Sequence, residues 1–306
     1  MFDPDQYQLL DFGDGRKLER FGDAVLDRTS PAAADASVIH SELWSNATAR
    51  FELVKGSKGE WVGDVSRLSA DDADRHGEPC VVNHGGSRLI VGVNGAGNVG
   101  LFPEQAGNWD WIVEQVSLCQ QALPARAPRV LNLFAYTGGA TLAAASAGAE
   151  VAHIDSSGPT VQWAKRNAAT SGMDDLPIRW LVDDAMKFAA REIKRGNFYD
   201  GVIADPPTYG HGPKGKAFKF QQHVDDLMQL CGRLVSGYEP GHRFMLFSCH
   251  APGFGRDEAQ DVLGEVVPNT PHGQLNSGPL LLESSDGRNL AAGVFARWSA
   301  SFGREA

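Results

Sequence analysis

From residue 129 onward, short apolar segments alternate with segments of helical length. The apolar segments cover residues 129–134, 150–155, 178–183, 199–204 and 242–248. The segments between them lie at about 139–147, 159–171, 185–195 and 220–235. Apolar strands that alternate with helices are typical of a parallel sheet covered by helices on both faces. The pattern therefore predicts an α/β fold of the doubly wound, Rossmann-like class.

The C-terminal segment departs from this alternation. Residues 280–283 and 290–298 have the character of strands, and residues 285–288 form a turn between them. Two strands joined by a short polar turn predict a β-hairpin. We therefore expect the last strand to run antiparallel to the rest of the sheet.

The first hundred residues follow a third pattern, in which short apolar segments are separated by glycine-containing turns. Such a pattern indicates a small antiparallel β unit. A predicted helix over residues 108–121 and prolines at 124 and 128 separate it from the alternating region. A chain of 306 residues is long enough for two domains. We predict a small β-rich N-terminal domain over residues 1–105 and an α/β domain over residues 106–306.

Charge and cysteine content limit the classes of function. The net charge of −10 argues against tight binding to long naked RNA, because phosphate binders are usually basic. The four scattered cysteines contain no CxxC pair, so we expect no metal site and no disulfide framework. No apolar run approaches the roughly 20 residues of a membrane span, and the N-terminus lacks a signal-peptide pattern. We therefore expect a cytoplasmic protein that does not bind membranes, of unknown oligomeric state.

Polar residues and glycines follow the first three predicted strands. Gly138 and Gly139 lie between the first strand and an alanine-rich helix, where backbone can approach a ligand closely. Asp155 ends the second strand, at the position from which a carboxylate accepts hydrogen bonds from ribose hydroxyls. Asp183 and Asp184 end the third strand, where they could meet an adenine amino group. The three strand ends predict a site for an adenosine-containing ligand.

The fourth strand ends in Asp205, Pro206 and Pro207, followed by Tyr209. Two consecutive prolines make a rigid, extended loop with two fewer N–H donors. Such a loop could hold a planar group by its carbonyls, or accept a hydrogen bond from an amine of a ligand. A nicotinamide-dependent oxidoreductase would share the first two strand ends. However, the sequence lacks the complete G-x-G-x-x-G fingerprint of that class.

These motifs, in this order and spacing over residues 85–300, resemble a class I methyltransferase family. That family contains the bacterial 23S rRNA cytosine-5 methyltransferase and the guanine-N7 methyltransferase of the same ribosomal subunit. The motifs are Gly100-Leu101-Phe102-Pro103-Glu104-Gln105, Asn132-Leu133-Phe134-Ala135-Tyr136-Thr137-Gly138-Gly139, His153-Ile154-Asp155-Ser156, Lys165-Arg166-Asn167, Asp183-Asp184-Ala185, Asp205-Pro206-Pro207 and Phe247-Ser248-Cys249.

The resemblance implies a seven-stranded sheet with an antiparallel last strand and S-adenosylmethionine as the cofactor. It implies a donor site lined by Phe134, Tyr136, Gly138, Asp155, Asp184 and Asp205. The same motifs supply the further cofactor-site candidates Ala135, Thr137, Ser156, Asn167, Asp183, Ala185, Pro206 and Pro207.

Two acceptor chemistries remain open, and Cys249 and Asp205 are the candidate catalytic residues. Carbon-5 of cytosine needs activation by a thiolate, and Cys249 falls where the cytosine-5 relative carries its nucleophile. Alternatively, Cys249 fills the end of a buried strand. A ring nitrogen such as guanine N7 needs no thiolate, and the Asp205 loop with a stacking aromatic would suffice. The candidate substrate-binding residues are Phe102, Gln105, Tyr209, Lys214 and Lys216.

The identity of the methyl acceptor also remains open. The resemblance favours a base of ribosomal RNA, and the lysines of the loop at residues 210–219 could guide its backbone. The acidic net charge, and a first region that is short for an added RNA-binding module, favour a small molecule or a protein instead. A non-catalytic sensor of the methyl donor is a further alternative.

Overall fold

The computed structural model describes residues 1–56, 58–71, 76–211, 217–235, 240–268, 270 and 273–303. The chain forms two compact units. The first comprises Met1–Gly107, Arg166–Gly172 and Leu281–Ala292, and the second comprises Asn108–Lys165, Met173–Leu280 and Gly293–Ala306. The domain boundary at residue 105 stays a prediction. Among the helices of the described ranges, none combines the length and apolar character that a membrane span requires.

The first unit is built on a β-sheet. Its elements are β1 (Tyr7–Gly13), β2 (Arg16–Phe21), β3 (Ala24–Thr29), α1 (Ser41–Trp44), β4 (Ala49–Lys55), β5 (Lys58–Gly63), β6 (Val81–His84) and β7 (Ser87–Ile90). Within the described ranges, the first five strands form one sheet in sequence order, and β6 and β7 form a separate antiparallel hairpin. The β3–β4 pair is parallel, whereas the other pairs of the sheet are antiparallel.

Asp11 on β1 holds distant segments of the first unit together. Its side chain is fully buried and accepts hydrogen bonds from the backbone N–H of His40 at 2.9 Å and from the Trp44 indole at 2.9 Å. Arg288 pairs with the same carboxylate at 2.5 Å. Burial by itself would raise the pKa of Asp11, but these hydrogen bonds outweigh it and hold the pKa below its usual value. One carboxylate thus fixes the segment after β3 and the turn near residue 288 to the sheet.

The second unit contains a larger sheet with helices between its strands. Its elements are α2 (Ala106–Ala122), β8 (Arg129–Leu133), α3 (Gly139–Ser146), β9 (Glu150–Asp155), α4 (Gly158–Thr170), β10 (Ile178–Val182), α5 (Ala185–Lys194), β11 (Gly201–Ala204), β12 (Tyr209–His211), β13 (Ala217–Lys219), α6 (Phe220–Val235), β14 (Gly241–Cys249), α7 (Arg256–Gly264), β15 (Gln274–Glu283) and β16 (Asn289–Phe302). The ends of α2, α4, β15 and β16 extend into the residues of the first unit.

The strand order of this sheet is β10-β9-β8-β11-β14-β16-β15 in the described part of the chain. The first five strands in this spatial order, β10, β9, β8, β11 and β14, pair in parallel. Strand β16 pairs antiparallel with β14. The predicted Rossmann-like sheet of seven strands with an antiparallel last strand is therefore confirmed. The central strands β11 and β14 are buried along their whole length, which is typical of parallel sheets with helices on both faces.

The C-terminal hairpin is longer than the pattern predicted. Strands β15 and β16 begin or end several residues beyond residues 280–283 and 290–298. Residues 274–276 at the start of β15 are all exposed, so this extension lacks the alternation of apolar and polar residues that signals a strand in the sequence. Three of its first four residues, Gln274, Asn276 and Ser277, are polar, and Leu275 between them is exposed.

Asp200, just before β11, is the centre of a buried ionic cluster at the start of the parallel strands. Its carboxylate pairs with Arg126 at 2.5 Å and with Arg243 at 2.9 Å. It also accepts a hydrogen bond from the Arg129 backbone N–H at 2.8 Å. Burial by itself would raise the pKa of Asp200, but these partners outweigh it and lower the pKa. The cluster therefore ties the starts of β8, β11 and β14 together.

Replacing Asp200 with asparagine should lower the free energy of unfolding by roughly 2–4 kcal/mol at neutral pH, because Arg126 and Arg243 lose a buried counter-charge. The folded-state pKa lies below the unfolded one, so this stabilisation is present above pH about 4 and is lost as the pH falls through the folded-state pKa. Urea denaturation at a series of pH values measures the difference. It should be largest near neutral pH and should shrink in acid.

Asp257→Asn is the matched control, since Asp257 is exposed and pairs with Arg256 on the surface of α7. Its effect should stay within about 0.5 kcal/mol. Equal, small effects of the two variants would contradict the role given to the buried cluster.

Candidate functional site

The turn between β8 and α3 has an unusual backbone. Phe134 and Tyr136 have positive φ angles of 57° and 49°, and Gly138 has a φ of 94°. A positive φ is sterically unfavourable for bulky side chains, and such residues persist where their surroundings hold them. Two aromatic residues in this conformation within one turn point to a functional segment. We refer to residues 134–138 as the β8–α3 turn.

Asp155, at the end of β9, holds this turn in place. Its Oδ2 accepts a hydrogen bond from the Tyr136 backbone N–H at 3.0 Å, and its Oδ1 accepts one from the Ser157 N–H at 2.9 Å. The Ala135 N–H donates to the Ile154 carbonyl at 3.0 Å. The neighbouring strand end therefore fixes the conformation of the β8–α3 turn.

Burial raises the pKa of Asp155, and hydrogen bonds from the backbone of Ser157, Tyr136 and Ser156 oppose that rise. Each carboxylate oxygen has two lone-pair sites. After the bonds to the turn, the Asp155 oxygens retain capacity for ligand hydroxyl donors. A half-buried carboxylate at this position can therefore bind a diol.

The two consecutive glycines are required for different reasons: Gly138 has a left-handed φ of 94°, and Gly139 leaves no space for a side chain. A Cβ atom on Gly138 would lie 3.2 Å from the Ala164 Cβ. A Cβ atom on Gly139 would lie 2.4 Å from the Trp109 indole ring, which is closer than atoms can approach. Helix α3 begins at Gly139, and no side chain caps it. The N-cap residue Gly138 therefore offers no side-chain acceptor to the first backbone amides of this helix.

A buried polar network supports the turn from below. The Asn132 side-chain amide donates to the Thr141 hydroxyl at 2.9 Å, and that hydroxyl lies 2.9 Å from the His153 Nδ1. All three residues are buried on β8, α3 and β9. Burial lowers the pKa of His153 to about 3, so the imidazole is neutral at physiological pH. The network joins the two strand ends to the first turn of the helix without introducing a charge.

At the end of β10, both aspartates have structural partners. Asp183 pairs with Arg191 of α5. Asp184 is the N-cap of α5, where its Oδ1 accepts a hydrogen bond from the Lys187 backbone N–H at 3.0 Å. Ala185 is the buried first residue of the helix. The Asp183 N–H donates to the Asp155 carbonyl at 3.0 Å, so this strand end lies beside that of β9.

At the end of β11, Asp205 is half-buried and accepts a hydrogen bond from the Ser248 hydroxyl at 2.9 Å. Pro206 is buried and Pro207 is exposed. Ser248 lies on β14, the next strand of the sheet. The Asp205 carboxylate is therefore oriented by a neighbouring strand, and the proline loop continues to the exposed Tyr209.

Cys249, the last residue of β14, is completely buried in the hydrophobic core of the second unit. Burial raises the pKa of its thiol to about 11, and the nearby Asp205 carboxylate adds to the rise. A thiol with this pKa is almost entirely protonated near pH 7, and it is the thiolate that acts as the nucleophile. All four cysteines are buried and free.

A short ribbon of β12 and β13 follows the proline loop, with Gly210 paired to Phe218. The Phe218 ring contacts the Phe134 ring edge to face, with centroids 5.1 Å apart. This contact brings the ribbon to the β8–α3 turn. Lys214 and Lys216, which the sequence predicted to bind substrate, lie outside the described residues.

The predicted site residues that follow β8, β9, β10 and β11 all lie at the carboxyl ends of those strands. Three other predicted site residues, Phe102, Gln105 and Asn167, belong to the first unit. Phe102 is half-buried and Gln105 is buried. Asn167 is completely buried, and its Oδ1 accepts a hydrogen bond from the Ile90 backbone N–H at 2.9 Å. Asn167 therefore has a structural role within that unit, and its cofactor contact stays a prediction. In the described ranges, no group of three or more His, Cys, Asp or Glu side chains is placed to hold a metal ion.

Sequence reasoning missed several functional contacts. The sequence motif that begins at Asn132 could be recognised. The hydrogen bonds that connect Asn132 through Thr141 to His153 could not, because they depend on the pairing of β8 with β9. The Phe218 contact lies in a segment that reads as a flexible loop, and no local signal predicts it. Positive φ angles at Phe134 and Tyr136 also have no signal in the residue types, since glycine is the usual marker.

Taken together, the strand ends offer a backbone turn held by hydrogen bonds, a half-buried carboxylate with remaining acceptor capacity and a helix N-terminus. A second oriented carboxylate, Asp205, lies at the end of β11. Ligands of open α/β sheets bind beyond the carboxyl ends of the strands. The geometry therefore fits a nucleoside with a further polar group.

Comparisons with known proteins agree with this geometry. The family profile described as S-adenosylmethionine-dependent methyltransferase matches residues 66–262. The crystal structure of the SAM-dependent methyltransferase from Agrobacterium tumefaciens superposes with a TM-score of 0.82 and 31% sequence identity. The match covers 96% of this chain and 90% of that one.

Two curated relatives are named as ribosomal RNA enzymes. The ribosomal RNA large subunit methyltransferase K/L of Alcanivorax borkumensis is 32% identical over 187 residues, which cover 61% of this chain and 24% of that protein. The ribosomal RNA large subunit methyltransferase I of Aeromonas salmonicida is 27% identical over 173 residues, which cover 56% of this chain and 40% of that protein. The chain thus spans less than half the length of either curated relative.

The family profile covers well over half of the chain, and the Agrobacterium protein resembles it along nearly its whole length. Both findings confirm the predicted family and cofactor. This chain belongs to the S-adenosylmethionine-dependent methyltransferase family.

Proposed function

We propose that this chain transfers a methyl group from S-adenosylmethionine to a base of ribosomal RNA, and that the β8–α3 turn holds the donor. The observation that carries the proposal is the pair of left-handed aromatic residues, Phe134 and Tyr136, fixed by the Asp155 carboxylate. A strained turn next to an oriented carboxylate provides a preformed binding site for a nucleoside.

Each strand end has a defined task in this proposal. Asp155 accepts hydrogen bonds from the ribose hydroxyls of the donor, and the end of β10 around Asp184 borders the adenine. The Asp205 loop faces the methionine portion and the acceptor base. The donor supplies a methyl group activated by a sulfonium. The protein therefore contributes position and alignment more than acid–base chemistry.

Support for an RNA acceptor comes from the two curated relatives, which are both named as ribosomal RNA methyltransferases. The net charge of −10 is unusual for an RNA-binding chain, and it favours a small molecule or protein acceptor as the second candidate. Transfer to ribosomal RNA also implies a cytoplasmic protein. Four buried, free cysteines are compatible with a reducing compartment.

A ring nitrogen, such as guanine N7, is the acceptor atom that the site supports best. Methylation at cytosine C5 requires a thiolate, and Cys249 is the candidate nucleophile. Its thiol is completely buried, and its pKa of about 11 keeps it protonated. A nitrogen lone pair needs no such activation. Asp205 then orients the base, while Cys249 packs the end of β14.

Asp155→Asn should weaken binding of S-adenosylhomocysteine roughly ten- to hundredfold, because charged hydrogen bonds to the ribose are worth about 1.5–3 kcal/mol. Isothermal titration calorimetry measures the affinity, and thermal melting shows whether the variant is folded. Asp175→Asn removes the same charge from an exposed position between α4 and β10. That control should bind like the wild type. Unchanged affinity of a folded Asp155 variant would remove this residue from the donor site.

Cys249→Ala should retain methylation of ribosomal RNA, because a nitrogen acceptor needs no nucleophile. Mass mapping of modified nucleotides in RNA from a deletion strain identifies the missing mark. Complementation with the wild type and the variant then tests Cys249. Restoration of a guanine mark by both proteins is the expected result. Loss of a cytosine-5 mark that the variant cannot restore would establish Cys249 as the nucleophile and overturn the nitrogen assignment.

The pH dependence of the rate gives an independent readout. If a thiolate were required, the rate would rise about tenfold per pH unit between pH 7 and 9, since the pKa of Cys249 is about 11. A nitrogen acceptor predicts a nearly flat profile over that interval. Single-turnover methylation with radiolabelled donor distinguishes these slopes.

A further inference from the structure

A cleft of about 590 Å³ lies entirely among residues of the first unit. Its walls come from the β2–β3 turn, the β6–β7 hairpin and the last turns of α4. The side chains of Arg67, Arg88 and Arg166 line it. The volume falls within the range of roughly 300–1,000 Å³ that is typical of ligand sites.

Arg67 is neutralised by the protein itself. It pairs with Asp23, and its Nε donates a hydrogen bond to the Glu78 carbonyl at 3.1 Å. The Asp23 hydrogen bond raises the pKa of Arg67. The Arg67–Asp23 ion pair therefore orders one wall of the cleft, and the positive charge of Arg67 is neutralised by Asp23.

Arg88 and Arg166 have no carboxylate partner within the described ranges. Arg88 is exposed, and its backbone, not its guanidinium, bonds to Ser171. Arg166 is half-buried, and its Nε atom is buried with no hydrogen-bond partner among the described residues. A buried donor without a partner carries an uncompensated desolvation cost.

This situation differs from that of other arginines in the chain. Arg28 pairs with Glu19, Arg126 with Asp200, and Arg288 with Asp11. In a protein with ten more acidic than basic side chains, carboxylate partners are abundant. Among the described residues that line the cleft, three are nevertheless arginines and two carry carboxylates, Asp23 and Glu78. Its excess positive charge is therefore a specific local feature.

We propose that this cleft binds a phosphate group of the RNA backbone through Arg88 and Arg166. A guanidinium presents N–H donors in a planar fork that matches two phosphate oxygens, and such charged hydrogen bonds are strong. The inference rests on the proposed function, because RNA is the phosphate-bearing substrate. It also explains how an acidic chain attracts RNA: the first unit supplies a local anion site despite the unfavourable net charge.

The experiment measures binding of a short, fluorescein-labelled single-stranded RNA of mixed sequence to the full chain, by anisotropy at several salt concentrations. Arg88→Gln and Arg166→Gln should each weaken binding about tenfold at low salt. The double variant should weaken it further. The slope of log affinity against log salt should become shallower by roughly 0.7 for each phosphate that the protein no longer neutralises.

Arg256→Gln is the matched control, because it removes one positive charge from an exposed position on α7. It should change RNA affinity less than twofold. Asp23→Asn offers a test in the opposite direction. It releases Arg67 from its ion pair, so RNA affinity should increase. Thermal melting of every variant confirms folding.

Two further arms separate the outcomes. Affinity for S-adenosylhomocysteine should be unchanged in the Arg88 and Arg166 variants, since these residues belong to the cleft and not to the donor site. A second arm titrates inorganic phosphate into the wild type and the double variant. Loss of phosphate binding together with loss of RNA binding supports the proposal. Loss of phosphate binding with RNA binding intact would assign the cleft to a free phosphate and overturn it.

A second result would also overturn the assignment of the cleft: RNA binding by the wild type that is equally tight in the Arg88→Gln and Arg166→Gln variants. It would leave the proposed function in place. Wild-type protein that binds S-adenosylhomocysteine but no RNA would instead count against the RNA acceptor itself. The two failures are therefore distinguishable.

Discussion

The hydrogen bond between the Asp155 carboxylate and the Tyr136 backbone N–H is the interaction on which the site depends. It holds a turn in which two aromatic residues have left-handed φ angles. The cost of that conformation is offset because β8 and β9 are paired neighbours with a shared polar network beneath them. The same carboxylate holds the turn and retains capacity to accept a hydrogen bond from a ligand, so the conformation of the turn and this acceptor depend on one residue.

The rest of the second unit keeps these strand ends in register. The Asp200 cluster fixes the starts of β8, β11 and β14, and the parallel pairing carries that alignment to their carboxyl ends. There, Ser248 orients Asp205 across the β11–β14 pair. Ionic contacts at one edge of the sheet and polar contacts at the other therefore set the geometry available to a methyl donor and its acceptor.

The sequence predicted the class of fold because buried parallel strands and intervening helices leave strong periodic signals. The order of Gly138, Asp155 and Asp205 at strand ends also predicted the family. The sequence left open whether Cys249 is a nucleophile or a buried core residue, and it did not predict the contact of Phe218 with Phe134, since both depend on how distant segments pack. The Arg166 guanidinium is a similar case: within the sequence it is one basic residue among many, and only the structure shows that its buried Nε has no hydrogen-bond partner among the described residues.

Calorimetric titration of the full chain with S-adenosylhomocysteine tests the central claim most directly, with NAD as the comparison ligand. We expect saturable binding of S-adenosylhomocysteine at a single site and no binding of NAD, because the turn between β8 and α3 lacks the complete glycine fingerprint of dinucleotide enzymes. Absence of S-adenosylhomocysteine binding by folded protein, or tighter binding of NAD, would contradict the assignment of the β8–α3 turn as a methyl-donor site.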